Sequence, residues 1–245
     1  MSQSLKQTIK RSGFLLECVR TARAAVMDGK RVLWTLKRGS IIRSYLNANP
    51  VRKLQIGASR TPFPDWLNTD IYPERADVAY MDATRPFPLP DASMDYVACE
   101  HMIEHIDYAG AQAMLGECRR VLKPGGKIRV ATPDLQVLIR LCDAQPSAEA
   151  KKYLEWIVQK TLPTVKEFPG VFVLNNAFRA WGHQFLYDAA TLKMTLASAG
   201  FTDFKAYKPG ASDDPPLRGI ESHGKTIGNE SINQFECMVV EAVNK

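Results

Sequence analysis

The segment Lys53–Asp95 decides the fold and reads KLQIGASRTPFPDWLNTDIYPERADVAYMDATRPFPLPDASMD, and the chain continues into YVACEHMIEH over Tyr96–His105. Short apolar runs in this segment each end at a glycine or an acid. These end positions are Gly57, Asp70, Asp82 and Glu100. In an open parallel sheet, ligands bind beyond the carboxyl ends of the strands, where the strand order reverses. The pattern therefore predicts an α/β sheet that carries a site for an adenosine-containing cofactor along this edge.

Gly57 and Asp70 are the first pair of candidate site residues. A glycine after a strand lets the backbone turn sharply and approach a ligand, although a plain turn uses glycine equally well. Asp70 follows after a shorter interval than the roughly 20 residues of a full crossover unit. Two prolines in Arg60–Asp65 predict that the crossover is reduced to a turn. We expect Asp70 to accept hydrogen bonds from ribose hydroxyls; the alternative is a turn residue.

Asp82 repeats this arrangement at the end of the next apolar run. Its carboxylate can accept a hydrogen bond from an adenine amino group, and the N–H of Ala83 can reach a ring nitrogen. The proline-rich stretch Pro86–Pro90 then predicts a rigid loop. The two neighbouring acids therefore predict a nucleoside site rather than two unrelated turns.

The alternation of strand and helix patterns predicts a Rossmann-like, mostly parallel sheet of seven strands with an antiparallel last strand, covered on both faces. The predicted strands are Arg52–Ile56, Trp66–Ile71, Val78–Met81, Met94–Cys99, Lys127–Ala131, Phe201–Tyr207 and Phe235–Val243. The predicted helices are Ala109–Leu122, Asp134–Cys142, Ala148–Thr161 and Asp188–Ser198. Lys123–Gly126 is expected to be a turn, residues 162–186 to be irregular, and residues 208–234 to form a polar loop.

Two domains are predicted, a basic helical N-terminal arm over residues 1–49 and a catalytic domain over residues 50–245. The breaker Asn47–Pro50 separates them, because a residue before proline leaves the helical region. The arm carries ten Lys or Arg and two acids, a net charge of +8, whereas the whole chain is +6. Such an arm can contact an anionic membrane surface; packing on the body or on a second subunit is the alternative.

Localisation and partners follow from what the sequence lacks. There is no run of roughly 18 apolar residues and no signal-peptide pattern, so we expect a cytoplasmic protein, or one at the inner face of the membrane. No catalytic tetrad of the N/D-P-P-Y/F type occurs, and no nucleic-acid partner is expected. The sequence leaves the oligomeric state open.

The cysteines and one histidine pattern bear on metal binding. The five cysteines are scattered without a C-x-x-C pair, which argues against a zinc ribbon and a disulfide framework. His101–His105 matches H-x-x-E-H, the inverted zinc-protease pattern. The pattern is short and a third ligand is not identifiable, so no metal site is assigned. Glu104 and His105 are expected instead at the start of a helix, where an acid is favourable.

Residues 145–186 occupy the position of a lid over the strand ends. The segment offers hydrogen-bonding groups and a flat aromatic face. These groups are Asn175, Asn176, Arg179, Trp181 and His183. They suit a polar, sugar-like or acidic substrate, and the alternative is a packed surface subdomain with aromatic filling.

The order LQIG, LNTD, MDATRPFPLPDASMDYV, EHMIEH and ECRRVLKPGGKIRVATPD resembles the class I S-adenosylmethionine-dependent methyltransferases. It is most similar to the type 11 branch and to predicted methyltransferases of bacterial surface-polysaccharide synthesis. The resemblance covers Lys53–Asp134, with weaker echoes at Leu186–Phe201 and Phe235–Ala242. It departs at Ala58-Ser59, where the family commonly has a second glycine.

The resemblance implies S-adenosyl-L-methionine as cofactor and a small-molecule or saccharide acceptor, with a place in cell-surface polysaccharide synthesis. The residues implied in cofactor binding are Gly57, Ala58, Asp70, Ile71, Asp82, Ala83 and Glu100. His101 would lie near the transferred methyl group, and His101 and His183 are the candidate bases because a neutral histidine has a suitable pKa. The alternative function is a non-catalytic, methyltransferase-like module that binds a membrane or a partner through its arm.

Overall fold

The computed structural model describes residues 13–162 and 164–245, so residues 1–12 of the predicted arm lie outside the described residues. Helix α1 spans Gly13–Ala48 and ends at the predicted breaker. Across the described residues, no helix is both long and apolar enough to cross a bilayer.

Seven strands form one sheet. They are β1 (Lys53–Ile56), β2 (Leu67–Asp70), β3 (Ala79–Tyr80), β4 (Met94–Glu100), β5 (Leu122–Pro133), β6 (Phe201–Tyr207) and β7 (Cys237–Asn244). Their order is β3-β2-β1-β4-β5-β7-β6. Strands β1 to β5 pair in parallel, whereas β7 runs antiparallel to both β5 and β6. The predicted Rossmann-like sheet and its antiparallel last strand are confirmed, and the strand order reverses between β1 and β4.

The helices after α1 are α2 (Tyr108–Val121), α3 (Leu135–Arg140), α4 (Ala148–Thr161), α5 (Gly170–Arg179), α6 (Ala189–Ser198), α7 (His223–Ile227) and α8 (Glu230–Glu236), with short 3-10 turns at Ile103–His105 and Pro215–Leu217.

Two segments predicted to lack helices contain them. The supposedly irregular 162–186 contains α5, which packs an apolar side around Val173 and Ala177 against α3 and α4. The supposed polar loop 208–234 contains α7 and α8.

The start of β5 contains the predicted turn. The strand begins at Leu122, which pairs with Met94, but the next pair is Tyr96 with Lys127, so residues 123–126 have no partners in β4. The close approach of the backbone explains the glycine here, since a Cβ on Gly126 would lie 2.9 Å from the Lys123 carbonyl oxygen. Residues 123–126 therefore leave the ladder in a turn, with Gly125 at a φ of +78°, and the chain rejoins β4 at Lys127.

The C-terminal half of α1 covers the β3 end of the sheet, where the chain has no crossover helices. The Trp34 ring stacks on Tyr80 with centroids 6.0 Å apart, and Ile42 is buried in the main core. The Tyr45 hydroxyl accepts a hydrogen bond from the Lys53 N–H at 2.8 Å. This part of the arm is therefore packed onto the body, on the same core that α2 and α6 bury.

The opposite face of the sheet is covered by a segment over residues 208–222 rather than by a long helix. Arg129 of β5, which is 1% exposed, is the anchor. Its guanidinium pairs with Glu221 of this segment and with Glu241 of β7, and it donates to the Ala211 carbonyl at 2.9 Å. A buried ion network thus holds the segment against the sheet and directs it toward the strand ends.

Candidate active site

A cavity of about 430 Å³ opens at the carboxyl ends of the central strands. Gly57 and Glu100 line it from β1 and β4, Pro133 from β5, and Trp156 from α4. This is the position beyond the strand ends, next to the reversal of strand order, where open α/β sheets bind their ligands.

Gly57 turns the chain at the end of β1 in a conformation that other residues seldom adopt, with φ of +76°. A Cβ at this position would lie 2.5 Å from Cγ of Met102, so the glycine also permits close packing. The N–H groups of Gly57 and Ala58 both donate to the Thr69 carbonyl, at 3.0 and 2.9 Å. The predicted cofactor loop is therefore tied to β2, and Ala58 is buried.

Asp70 closes the same loop from the end of β2. Its Oδ2 accepts from the Ser59 N–H at 2.8 Å, and its Oδ1 accepts from the Tyr72 N–H at 2.7 Å. Each oxygen retains a second lone pair, because a carboxylate oxygen can accept twice. Ile71 follows half-buried. Asp70 is thus well fixed, and it remains able to accept from a ligand.

Asp82 follows β3 on the adjacent strand. Its Oδ1 accepts from the N–H and the hydroxyl of Thr84 at 3.0 and 2.7 Å, and these bonds leave Oδ2 for a ligand. Ala83 packs half-buried against the main core. Both acids lie along the carboxyl edge on the β2–β3 side of Gly57 rather than in the wall of the cavity. Two carboxylates beside a glycine turn fit the ribose and base of a nucleoside cofactor.

Glu100 ends β4 and holds the start of α7. Its carboxylate accepts from the N–H groups of Ser222 and His223, each at 2.8 Å, and from the Ser222 hydroxyl at 3.1 Å. Burial raises the pKa of Glu100 above its ordinary value. Glu100, predicted at the methyl end of a cofactor, lines the cavity and also joins the C-terminal segment to the sheet.

His101 has a positive φ of +45°, which is uncommon outside glycine and often marks a functional position. Its ring stacks on His223 with centroids 3.7 Å apart. Burial lowers the pKa of His101, but Cys237 and Glu104 raise it more, so the net pKa lies well above the ordinary value. Burial and the charge of His101 lower the pKa of His223 to about 3. Within the stacked pair, protonation is therefore favoured on His101 over His223.

Glu104 lies in the 3-10 turn after β4 and is fully buried. Its Oε2 accepts from the Thr132 hydroxyl at 2.9 Å. Its Oε1 is 3.3 Å from His101 Nδ1 but accepts no hydrogen bond from any described residue. Burial raises the pKa of Glu104, yet the neighbouring His101 outweighs it and the net pKa is lowered. Glu104 thus lines the cavity with Oε1 lacking a hydrogen bond from any described residue.

His183 comes from the predicted lid. Its Nδ1 is 2.8 Å from the Ala177 carbonyl oxygen. Because a carbonyl only accepts, Nδ1 carries the proton and Nε2 keeps its lone pair. Burial lowers the pKa of His183, which favours this neutral form. The lid therefore presents an unprotonated imidazole nitrogen.

The chain has four histidines, and all of them line this one cavity. They are His101, His105, His183 and His223. Of the predicted lid residues, Trp181 and His183 also line it, whereas Asn175 turns back to the Val171 carbonyl in its own helix. The sequence analysis missed His223, Trp156 and Glu236. The local patterns placed His223 in a loop and Trp156 in a helix, and Glu236 lies at the start of the predicted strand Phe235–Val243 and not at a carboxyl end.

Comparisons with known proteins find methyltransferases. Residues 48–130 match the family model described as a methyltransferase domain. Over 63 residues the chain is 44% identical to a probable S-adenosylmethionine-dependent methyltransferase of Mycolicibacterium smegmatis. The match covers 26% of this chain and 23% of that protein, so the chain matches about a quarter of the length of its curated relative.

Two solved structures are among those found by structural comparison. A methyltransferase of Archaeoglobus fulgidus has a TM-score of 0.47 and 18% identity over 86% of this chain and 94% of its own. A possible histamine N-methyltransferase of Thermotoga maritima has a TM-score of 0.47 and 19% sequence identity. The match covers 89% of this chain and 96% of that one.

Proposed function

We propose that this chain, which belongs to the class I S-adenosylmethionine-dependent methyltransferase family, transfers a methyl group to a small, polar, sugar-like acceptor. The observation that carries the proposal is the cavity at the reversal of strand order. It reaches Gly57 on the cofactor side and the histidines on the other. When bound, the cofactor supplies an electrophilic methyl group, and the protein aligns the acceptor with it.

The cofactor would be held along the carboxyl edge. Asp70 with Ile71 would bind the ribose, and Asp82 with Ala83 would bind the adenine. Gly57 and Ala58 would form the floor, and Glu100 would lie at the methyl end. The free lone pairs on the two aspartates support these roles, because hydroxyl and amino groups donate to carboxylates.

The acceptor would enter the cavity itself. Trp156 and Trp181 offer flat faces, and Arg60 and Lys160 offer positive charge at the rim. Apolar surface with a few fixed polar groups is typical of small-molecule sites. We propose a saccharide acceptor and a place in cell-surface polysaccharide synthesis, which the sequence resemblance suggests.

We propose that proton loss from the acceptor is handled by the histidine wall. Burial lowers the pKa of His101, but Cys237 and Glu104 raise it more, and the raised pKa favours the protonated ring. His183 keeps an unprotonated nitrogen, so it can receive the proton of the acceptor directly. His101 would then orient the site through its contacts with Glu104 and His223.

The test of this function is binding of S-adenosylhomocysteine by calorimetry. We expect saturable binding, and Asp82→Ala should weaken it by about 1.5–3 kcal/mol, the usual worth of a hydrogen bond to a charged group. The matched control is Asp91→Ala. Asp91 is an exposed acid in the loop after β3 and accepts a hydrogen bond from Arg120 of α2. Absence of binding to the unchanged protein at millimolar ligand would rule the enzyme out.

The second candidate is a non-catalytic module of the same fold. Met102 favours it, because its side chain packs directly over Gly57 where a cofactor would approach. In that case S-adenosylhomocysteine would not bind, and replacing Met102 with alanine would not create binding. If the unchanged protein binds S-adenosylhomocysteine and Met102→Ala binds it more tightly, the Met102 side chain must move for the cofactor to enter.

We also propose that α1 contacts the inner face of a membrane, which would make this a cytoplasmic, peripheral protein. Val26, Val32, Leu33 and Leu36 are 58–74% exposed and share one side of the helix. The opposite side packs onto the body through Trp34 and Ile42. Lys30 and Lys37 flank the exposed apolar strip, which suits an anionic lipid surface.

A further inference from the structure

We propose that Glu104, His105 and His183 bind one divalent transition-metal ion of the Zn²⁺ class on the wall of the cavity. One ligand atom from each residue lies within 4.8 Å of the other two. Two imidazoles and one carboxylate are a donor set that proteins use for catalytic zinc and for non-haem iron.

The first argument is the unpartnered oxygen of Glu104. The side chain is fully buried, and Oε1 accepts no hydrogen bond among the described residues. Buried polar atoms are otherwise nearly always satisfied by a hydrogen bond. His101 lies 3.3 Å from this oxygen but off the geometry of a hydrogen bond. A cation bound at Oε1 would satisfy the carboxylate directly.

The second argument is the tautomer of His183. A histidine that binds a metal through one nitrogen almost always donates its other N–H to a carbonyl or carboxylate, which fixes the ring. His183 has this arrangement, since Nδ1 donates to the Ala177 carbonyl at 2.8 Å. Its Nε2 is therefore unprotonated and held in place before any ion binds.

The third argument is how firmly the three residues are held together. The N–H of Gln184 donates to the Glu104 carbonyl, and its side-chain amide donates to the His105 carbonyl, both at 2.7 Å. Thr132 orients the Glu104 carboxylate from behind. Ligand atoms about 2.1 Å from a zinc ion are roughly 3–3.5 Å apart. Small side-chain rotations therefore close the site without moving the backbone.

The grouping differs from the one that the H-x-x-E-H pattern predicts. In that pattern both histidines bind the metal. Here His101 is turned by its positive φ and stacks on His223, and the lid residue His183 takes the place of the second imidazole. The third ligand could not be identified from the sequence because it is far from the pattern along the chain.

An ion with three protein ligands keeps a coordination position open toward the cavity. That position could hold an acceptor hydroxyl and favour loss of its proton, a consequence that rests on the proposed function. The metal site itself does not rest on it.

In the first experiment, Zn²⁺ is titrated into chelator-treated full-length protein and the heat of binding is measured by calorimetry. In the second, Co²⁺ is titrated and its visible absorption is recorded. Cys18 and Cys142 are replaced by serine throughout, since Cys142 is exposed and thiols bind zinc. We expect one ion per chain. Thr132→Val removes a residue that holds a ligand in place, so it should weaken zinc binding by about 10- to 100-fold. Glu104→Gln and His183→Ala remove ligands themselves, and each should weaken zinc binding by more than that.

Thr226→Val is the matched control, because this residue lines the same cavity outside the proposed ligand group. The zinc affinity of Thr226→Val should stay within about threefold of that of the unchanged protein. Near-ultraviolet circular dichroism and melting temperature confirm that each variant is folded. The proposal is overturned if the unchanged protein binds no ion saturably. It is also overturned if folded His183→Ala binds like the unchanged protein, or if Thr226→Val weakens binding as much as His183→Ala. The titration contains neither cofactor nor acceptor, so its failure is distinguishable from failure of the methyltransferase function.

Discussion

At the scale of single residues, Gly57 combines a positive φ with close packing. Its φ of +76° and the nearness of Met102 leave no space for a side chain. Gly57→Ala should therefore lower the free energy of unfolding by about 1–3 kcal/mol, the range for strained backbone positions. Gly116→Ala, in the exposed middle of α2 with nothing within 4 Å, should instead raise it by about 0.5–1 kcal/mol. Urea unfolding compares the two, and equal effects would contradict the explanation.

Residue roles could be predicted from the sequence only where a strand end carries them. Gly57, Glu100 and His101 lie at strand ends and line the cavity, as their positions after apolar runs indicate. His223 could not be found in this way, because it reaches the cavity through the bonds that Ser222 and His223 donate to Glu100. A contact between distant segments leaves no local pattern in the sequence.

At the scale of elements, the two sides of α1 predict membrane binding. Leu33→Ser with Leu36→Ser should reduce pelleting with anionic vesicles, since these side chains are 58% and 74% exposed and would enter the lipid. Met194→Ser, an equally open apolar side chain on α6, is the control. Binding should also fall with salt, because polybasic attraction is screened. If neither the double substitution nor added salt reduces pelleting with the vesicles, membrane contact through this helix is refuted.

A second element-scale prediction concerns α2 and the loop before β4. Glu117 accepts from the Phe87 N–H at 2.6 Å and pairs with Arg120, which also donates to the Leu89 carbonyl. The Arg120 hydrogen bond lowers the pKa of Glu117. A lowered carboxyl pKa stabilises the fold above the unfolded value of about 4.3, and this contribution is lost as pH falls through the folded value.

Glu117→Gln should therefore destabilise the protein at pH 7 and have a smaller effect near pH 3. The measurement is the free energy of unfolding of both proteins at the two pH values. The exposed pair partner Asp91, replaced by asparagine, should have little effect at either pH. A Glu117→Gln effect of the same size at both pH values would show that the carboxylate charge is unimportant.

At the scale of the whole molecule, Arg129 joins the sheet to the segment over residues 208–222. Arg129→Met leaves the carboxylates of Glu221 and Glu241 buried and uncompensated, which typically costs about 3–5 kcal/mol. Lys205→Met, which breaks an exposed pair with Asp213, should cost less than about 1 kcal/mol. Chemical unfolding measures both, and similar small effects would mean that the segment is held by packing alone.

The architecture was largely predictable because strands and long helices carry their periodicity locally. β6 and α4 have the predicted bounds, and α6 lies within the predicted helix Asp188–Ser198, with Asp188 as its cap. The short α7 was missed because its first N–H groups are satisfied by Glu100 of a distant strand. Similarly, α5 is stabilised by burial against α3 and α4 and not by a strong N-terminal cap, since Pro169 makes no side-chain capping bond.

The position of β7 between β5 and β6 has a consequence for synthesis. The cavity takes one wall from α7 and α8, which precede β7 directly, and the central sheet is incomplete until β7 inserts. A ribosome-bound chain that stops before β7 therefore exposes an open edge of β5, which is prone to pair with other chains. The cavity can be completed only after nearly all of the described chain has left the ribosome, so neither ligand nor metal can assist the earlier steps of folding.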